Sequence, residues 1–302
     1  MCSAALLIGF EYIESKDWKS LPGIPVDLYQ AYSYSQTLTK TKTKNITVFT
    51  DVDKDYRTTV LRRAIIEGYV DSNLLSFIED VKDNNHHTLY HSKKSNKYIT
   101  NNFEEVIIKS VVGVTKLFVY YTGHAKNGHI ILPDNTHVPL DHLKDIIVAN
   151  ASPNCEIIFV LDCCQSNGME LPYVYNNGYK LSAHNFLPNN IICLSSSLID
   201  QDSTATRTGS IFTRNLFKIF KNNTIITIDN LISNITVNIT TTYIEKLLFI
   251  WFTNPTKNNN INVNIETNDS IITVTLHNCQ NSIKSSSSIQ NYIRYLDKLD
   301  YR

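Results

Sequence analysis

The strongest constraint on the fold is a set of apolar runs that do not alternate: Ala4-Ala-Leu-Leu-Ile-Gly-Phe10, Lys116-Leu-Phe-Val-Tyr-Tyr121 and Cys155-Glu-Ile-Ile-Phe-Val-Leu161. A strand with one wet face shows polar residues at every second position. A run without that alternation needs cover on both faces, the condition of a central strand in a parallel sheet. Two of these runs end on residues that carry chemistry. One leads into Thr122-Gly123-His124, the other into Asp162-Cys163-Cys164-Gln165.

The intervening sequence supplies the cover. Residues 45–50, closed by Asp51, and 190–194 read as further strands, and 248–252 as a last one. After the Pro/Gly turn Leu21-Pro-Gly-Ile-Pro-Val-Asp27, the spacing of Leu28, Ala31, Tyr32, Ser35 and Leu38 predicts one helix face. Further helices are expected at 58–82 (interrupted near 70–72), 103–112, 141–149, 210–220 and 229–248. Residues 83–100, with His86, His87 and His91, read as loop or weak hairpin, and a small hairpin is expected around His129–Leu132. Residues 176–189 and 195–208 read as loops. Strands separated by helices predict an α/β fold, a mostly parallel central sheet flanked by helices on both faces. Ligands bind such sheets at the carboxyl ends of the strands, where His124 and Cys164 lie. Residues 254–302 change in composition and are expected to form an appendage, a hairpin followed by a terminal helix.

Composition removes several function classes. Lys+Arg and Asp+Glu are 28 each, so no global charge draws nucleic acid or an anionic membrane. No apolar run reaches the ~18 residues of a membrane span. The apolar start lacks a basic leader and reads as a strand, so a cytoplasmic location is expected. Six cysteines in that setting are expected to be reduced thiols.

A thiolate attacks an acyl carbon, and a nearby imidazole first takes the thiol proton and later gives one to the leaving amine. The 40 residues between positions 124 and 164 suffice for a hairpin, a crossover helix and a return strand. The backbone N–H groups around Ala125 and Cys164 are candidate oxyanion donors. Cys163 competes as nucleophile. Neighbouring side chains on an extended chain face opposite ways, so one thiol would enter the core and the other face outward.

Thr-Gly-His124 and Asp-Cys-Cys164-Gln-Ser, with Leu171-Pro-Tyr-Val-Tyr175 behind, resemble the metacaspase branch of the caspase-like cysteine peptidases. The resemblance spans about residues 4–253. It includes Leu6-Leu-Ile-Gly-Phe10, Leu21-Pro-Gly23 with Asp27, Asn45–Asp51, Asp200-Gln-Asp-Ser203 and Gly209-Ser-Ile-Phe-Thr213. It implies a caspase-like fold at 1–253, with a large-subunit-like part at 1–175 and a small-subunit-like part at 190–253. It implies a thiol protease, a cysteine endopeptidase with nucleophile Cys164 and general base His124. Asp27 and Asp162 match the family's two pocket carboxylates, and Thr122 its pocket serine. Two such acids would select a long cationic side chain, hence protein or peptide substrates cut after Arg or Lys. Lys180 is then a candidate self-cleavage site. The sequence sets no oligomeric state, and a monomer is the default expectation.

The departures define the alternative, a catalytically inactive caspase-like protein acting as a binding or regulatory module. Ala125 stands where the family has Gly, Gln165 where it has His, Asn167 where it has Gly, and Ile24 where it has a pocket Cys. No cofactor is expected to be required. Asp141 and Glu170 are the acids that remain near the family's calcium positions, and two carboxylates fall short of the ~6–8 oxygen ligands calcium takes. His124, His129, His137 and His142 match no zinc spacing.

Overall fold

The computed structural model describes residues 3–13, 15–39, 45–52, 58–83, 88–89, 100–166, 169–171, 173–175, 179–181, 189–197, 203, 205–222, 226–227, 230–239, 261–268 and 271–278. The chain divides into two compact units, Met1–Phe217 and Lys218–Arg302.

The first unit is built on a parallel six-stranded sheet. Its strands are β1 (Ser3–Gly9), β2 (Ile46–Thr50), β3 (Thr88–Leu89), β4 (Lys116–Thr122), β8 (Glu156–Asp162) and β11 (Asn190–Ser195), in the order β11-β8-β4-β1-β2-β3. Between β4 and β8 lies a small antiparallel sheet of β5 (Ala125–Lys126), β6 (His129–Ile131) and β7 (His137–Pro139). Short hairpins pair β9 (Tyr173–Tyr175) with β10 (Tyr179–Leu181), and β12 (Ala205–Thr206) with β13 (Gly209–Ser210). The helices are α1 (Ile24–Thr39), α2 (Thr58–Ile66), α3 (Asn73–Asp83), α4 (Thr100–Val111), α5 (Leu140–Asn150) and α6 (Ile211–Asn222).

The non-alternating runs are explained by what covers each face. Leu6 and Ile8 of β1, Leu117, Val119 and Tyr121 of β4, and Ile157, Phe159 and Leu161 of β8 form one cluster with Phe103, Ile107 and Val111 of α4 and Leu143 and Ile147 of α5. The opposite parity meets α1 and α6. The Phe118 ring lies 5.5 Å from Tyr34, and Tyr120 lies 5.8 Å from Phe217. Each such side chain, fully buried, contributes about 1.5–3 kcal/mol, so losing either cover would strand several apolar residues in water.

Several expectations change at the edges. Residues 88–89, read as loop or weak hairpin, join the central sheet as its edge strand. The expected loop at 176–189 contains β10, and that at 195–208 contains β12, which pairs with β13 just beyond it. Leu38, placed on the same helix face as the buried Leu28, Ala31 and Ser35, is 42% exposed. The break in 58–82 is real, and the carboxylate of Asp71 accepts the Asn73 N–H at the start of α3. The expected strand at 248–252, the boundary at 253/254 and the terminal helix lie outside the described residues. In the second unit, a helix covers 230–239, and β14 (Ile261–Asn268) pairs with β15 (Ile271–Asn278) as an antiparallel hairpin.

Candidate active site

Register places the two strand ends together. Thr122 of β4 pairs with Asp162 of β8, and His124 and Cys164 each follow their pair by two residues. Adjacent strands run about 4.8 Å apart, so the two loops leave the sheet side by side at its carboxyl edge.

His124 is held by its backbone. Its N–H donates to the Tyr12 hydroxyl at 2.9 Å, and its carbonyl accepts the Ile131 N–H at 3.0 Å and the Tyr121 hydroxyl at 2.7 Å. Tyr12 in turn donates to the Ile131 carbonyl at 2.6 Å. The ring is flanked by Tyr12 (4.6 Å between centroids) and Trp18 (5.0 Å). Nε2 donates to the Lys19 carbonyl at 2.7 Å. The loop that brings Tyr12, Trp18 and Lys19 is itself anchored, because the Asp51 carboxylate accepts the N–H groups of Glu11 and Tyr12 at 2.6 and 2.8 Å. Burial lowers the imidazole pKa from its ordinary 6.5, and the bond to Lys19 partly offsets this.

The two thiols part as strand alternation requires. Cys163 is 2% exposed within the α4/α5 cluster, and burial first, then the Asp162 charge, pushes its thiol well above the ordinary range. Cys164 is partly exposed, with Sγ 3.9 Å from the Ser203 carbonyl oxygen. Gln165 follows with left-handed backbone (φ 52°), and its Oε1 accepts the Asn127 N–H at 2.6 Å. Asn127-Gly128, both at positive φ, is the two-residue turn of the β5–β6 hairpin. The loop carrying the thiol is thereby bonded to the hairpin that follows the imidazole.

Ala125 is in β5, opposite Ile130, and is not among the residues at positive φ. An alanine therefore costs nothing in backbone conformation at the family's glycine position. Because Ile131 N–H bonds to the His124 carbonyl, Ala125–Ile130 is the non-hydrogen-bonded pair of the ladder, and the Ala125 N–H is directed away from β6.

Asp27 and Asp162 come together on the face covered by α1 and α6. They are 1% and 3% exposed. Asp27 lies in the first turn of α1, yet its carboxylate does not cap that helix. Both of its oxygens accept the Ser210 N–H, at 2.8 and 3.0 Å. Gly209 makes this possible, since a Cβ there would lie 2.6 Å from Asp27 Oδ1. Asp162 accepts the hydroxyls of Ser203 (2.9 Å) and Thr213, and Tyr120 donates to Thr213 at 2.6 Å. Thr122, 2% exposed, adds a hydroxyl against Tyr120. Burial, then the Asp162 charge, raises the Asp27 pKa well above the carboxylate range, opposed by the Ser210 bond and by Arg214. Burial also raises Asp162, against the hydroxyl bonds it accepts.

The acids at the expected calcium positions do not fit calcium. Asp141 Oδ1 accepts the Lys144 ammonium at 2.7 Å and the Glu170 N–H at 2.8 Å, while Lys144 also donates to the Glu170 carbonyl at 2.9 Å. A cation is already part of the chain there. Among the described residues, no three His, Cys, Asp or Glu side chains are grouped to hold a metal. His129 and His142 bond elsewhere, to the Asn127 carbonyl and Glu104. Asn167 and Asp200–Asp202 lie outside the described residues. Lys180 is in β10.

Sequence reasoning missed Tyr12, Trp18, the Lys19 carbonyl, the Gln165–Asn127 bond and Lys144. Asn127-Gly128 was a legible signal, being a strong hairpin turn dipeptide. So was Trp18, a large aromatic in an otherwise polar loop.

The crystal structure of caspase-1 from Spodoptera frugiperda is similar to this chain at 17% identity and a TM-score of 0.48, over 78% of this chain and 75% of that one. No curated protein matches the chain. The family model for the caspase domain matches residues 4–246, which reach across the central sheet from Ala4 of β1 to β11 and include both strand-end motifs, and the chain therefore belongs to the caspase-domain family.

Proposed function

We propose that the chain is a metacaspase-type cysteine endopeptidase that cuts after Arg or Lys. The observation that carries the reading is the Thr122–Asp162 register, which sets a part-exposed thiol and an oriented imidazole on neighbouring loops. His124 Nδ1 takes the Cys164 proton, and the thiolate forms a C–S bond to the substrate carbonyl carbon. The N–H groups of Cys164 and Ala125 receive the oxyanion. As the C–N bond breaks, the imidazolium returns its proton to the leaving amine. Water, deprotonated by His124, then attacks the thioester and releases the acid and the thiol.

The cation preference rests on Asp27 and Asp162, a buried acid pair beside Thr122, which a guanidinium or ammonium would relieve of mutual repulsion.

The test is hydrolysis of fluorogenic peptides ending in Arg, Lys or Asp. Arg and Lys peptides should be cleaved, with Cys164→Ala losing about a thousandfold or more and Cys163→Ala retaining activity. Cleavage after Asp alone, or activity that survives Cys164→Ala, rejects the reading. Failure of an Arg-directed, thiol-reactive probe to label Cys164 in folded protein would favour the inactive binding module instead.

A further inference from the structure

We propose that Lys144 is a built-in cation that fastens the segment after Cys164 to helix α5, in place of a divalent ion. The Lys144 side chain is 8% exposed. A buried ammonium persists only where its hydrogens find acceptors and its charge finds a counter-charge. Lys144 has both. Asp141 Oδ1, one helical turn earlier, accepts at 2.7 Å, the Glu170 carbonyl accepts at 2.9 Å, and Asp145 Oδ1 lies 3.8 Å away.

The arrangement closes on itself. Asp141 Oδ1 also accepts the Glu170 N–H at 2.8 Å, so both backbone polar groups of Glu170 are held by the Asp141–Lys144 pair. Glu170 is six residues beyond Cys164, beside Met169, which is buried in the α4/α5 cluster. The helix bearing Lys144 is fixed by Leu140, Leu143 and Ile147, all buried against the sheet. The hook thus joins a rigid helix to the nucleophile-bearing loop. Calcium would need about 6–8 oxygens in this volume, where an ammonium already uses the carboxylate and carbonyl that would serve it. The order of this segment should therefore not respond to calcium or to a chelator. That holds whether or not the chain cleaves peptides, so the readouts do not depend on hydrolysis.

The experiment uses the full chain, treated with EDTA and then titrated with calcium chloride. It follows the melting temperature and the rate at which iodoacetamide alkylates Cys164. For the wild type, both should be unchanged, because a ligand that does not bind the folded state adds nothing to its stability. Lys144→Met should alkylate about tenfold faster, as expected when a local opening loses a charged hydrogen-bond clamp. Lys144→Glu, which adds a carboxylate where the ammonium lay, should gain a calcium-dependent rise in melting temperature. A wild-type melting temperature raised by calcium and restored by chelator overturns the proposal. So does a folded Lys144→Met variant with unchanged alkylation. If Lys144→Met does not fold, amide exchange at Glu170 in the wild type decides. Protection independent of calcium sustains the proposal, and protection that arises only with calcium overturns it.

Discussion

The ring Nε2–H of His124 donates to the carbonyl oxygen of Lys19 at 2.7 Å. A carbonyl only accepts, so Nε2 carries the hydrogen and Nδ1 is left to take a proton. Tyr12 and Trp18 wall the ring, and burial lowers its pKa from 6.5. A histidine lowered in the folded state stays neutral further into acid. Between its folded pKa and 6.5 the unfolded chain binds more protons, so this group's contribution to stability falls as pH drops through that window.

Trp18→Ala should therefore move the acidic limb of kcat/KM upward, toward 6.5, by exposing the imidazole. The pH–rate profile with an Arg peptide measures this. A limb that stays in place would show that Trp18 does not set the environment of the base.

Gly123→Ala should cost both stability and activity. A Cβ at Gly123 would lie 2.8 Å from the hydroxyl oxygens of Tyr12 and of Tyr121, the groups that bond the His124 backbone. Overpacking of this kind costs about 1–3 kcal/mol, and a displacement of about 1 Å at a reacting group costs about a hundredfold in rate. Thermal melting and kcat/KM should fall together. An unchanged kcat/KM would mean that the two hydroxyls do not position the imidazole.

Much of this arrangement was legible because it follows from local pattern. Apolar runs without alternation required two covering layers, and parity along β8 sent Cys163 inward and Cys164 outward. That His124 and Cys164 share the carboxyl edge of the sheet followed from both lying just past strand ends; that they are neighbours did not, because the sequence alone could not say that β4 and β8 pair. Backbone partners were not legible. Any residue has a carbonyl, so nothing in the name lysine marks Lys19 as the acceptor for His124. Asp27 reads as a helix-start acid from its position. Its bond to Ser210, 183 residues away, depends on a hairpin that only tertiary packing brings there. Thr88–Leu89 was missed because a two-residue edge strand has no period to detect.

Gln165 should prove to be a positioning residue, separable from stability. Its left-handed backbone costs a non-glycine residue about 1–2 kcal/mol, which its bond to Asn127 offsets. Gln165→Gly relieves the backbone cost but removes the acceptor. The melting temperature should hold or rise while kcat/KM falls about tenfold, a loss of roughly 1.4 kcal/mol in the transition state. Gln165→Glu keeps an acceptor and should retain most activity. A Gln165→Gly enzyme as active as the wild type would mean that the bond between the two loops has no part in the reaction.

Asp27→Asn separates a structural acid from one that meets substrate. Burial, and next the Asp162 charge, raises the Asp27 pKa above 3.8. The folded state then holds a proton that the unfolded chain has released. Asp27 thus lowers stability progressively as pH rises from 3.8 through its folded pKa, and the full penalty stands above that. An amide at this position can still accept the Ser210 N–H and carries no charge to repel Asp162. The melting temperature of Asp27→Asn relative to the wild type should therefore climb as pH rises from 3.8 through the folded pKa of Asp27. Over the same range kcat/KM for an Arg peptide should fall by about a hundredfold, the consequence of removing one partner from a buried charge contact. The joint outcome, a more stable protein that cleaves Arg peptides poorly, is what a cation-selecting acid predicts. Undiminished Arg cleavage would assign the Asp27 carboxylate to holding β13 against α1 and nothing more.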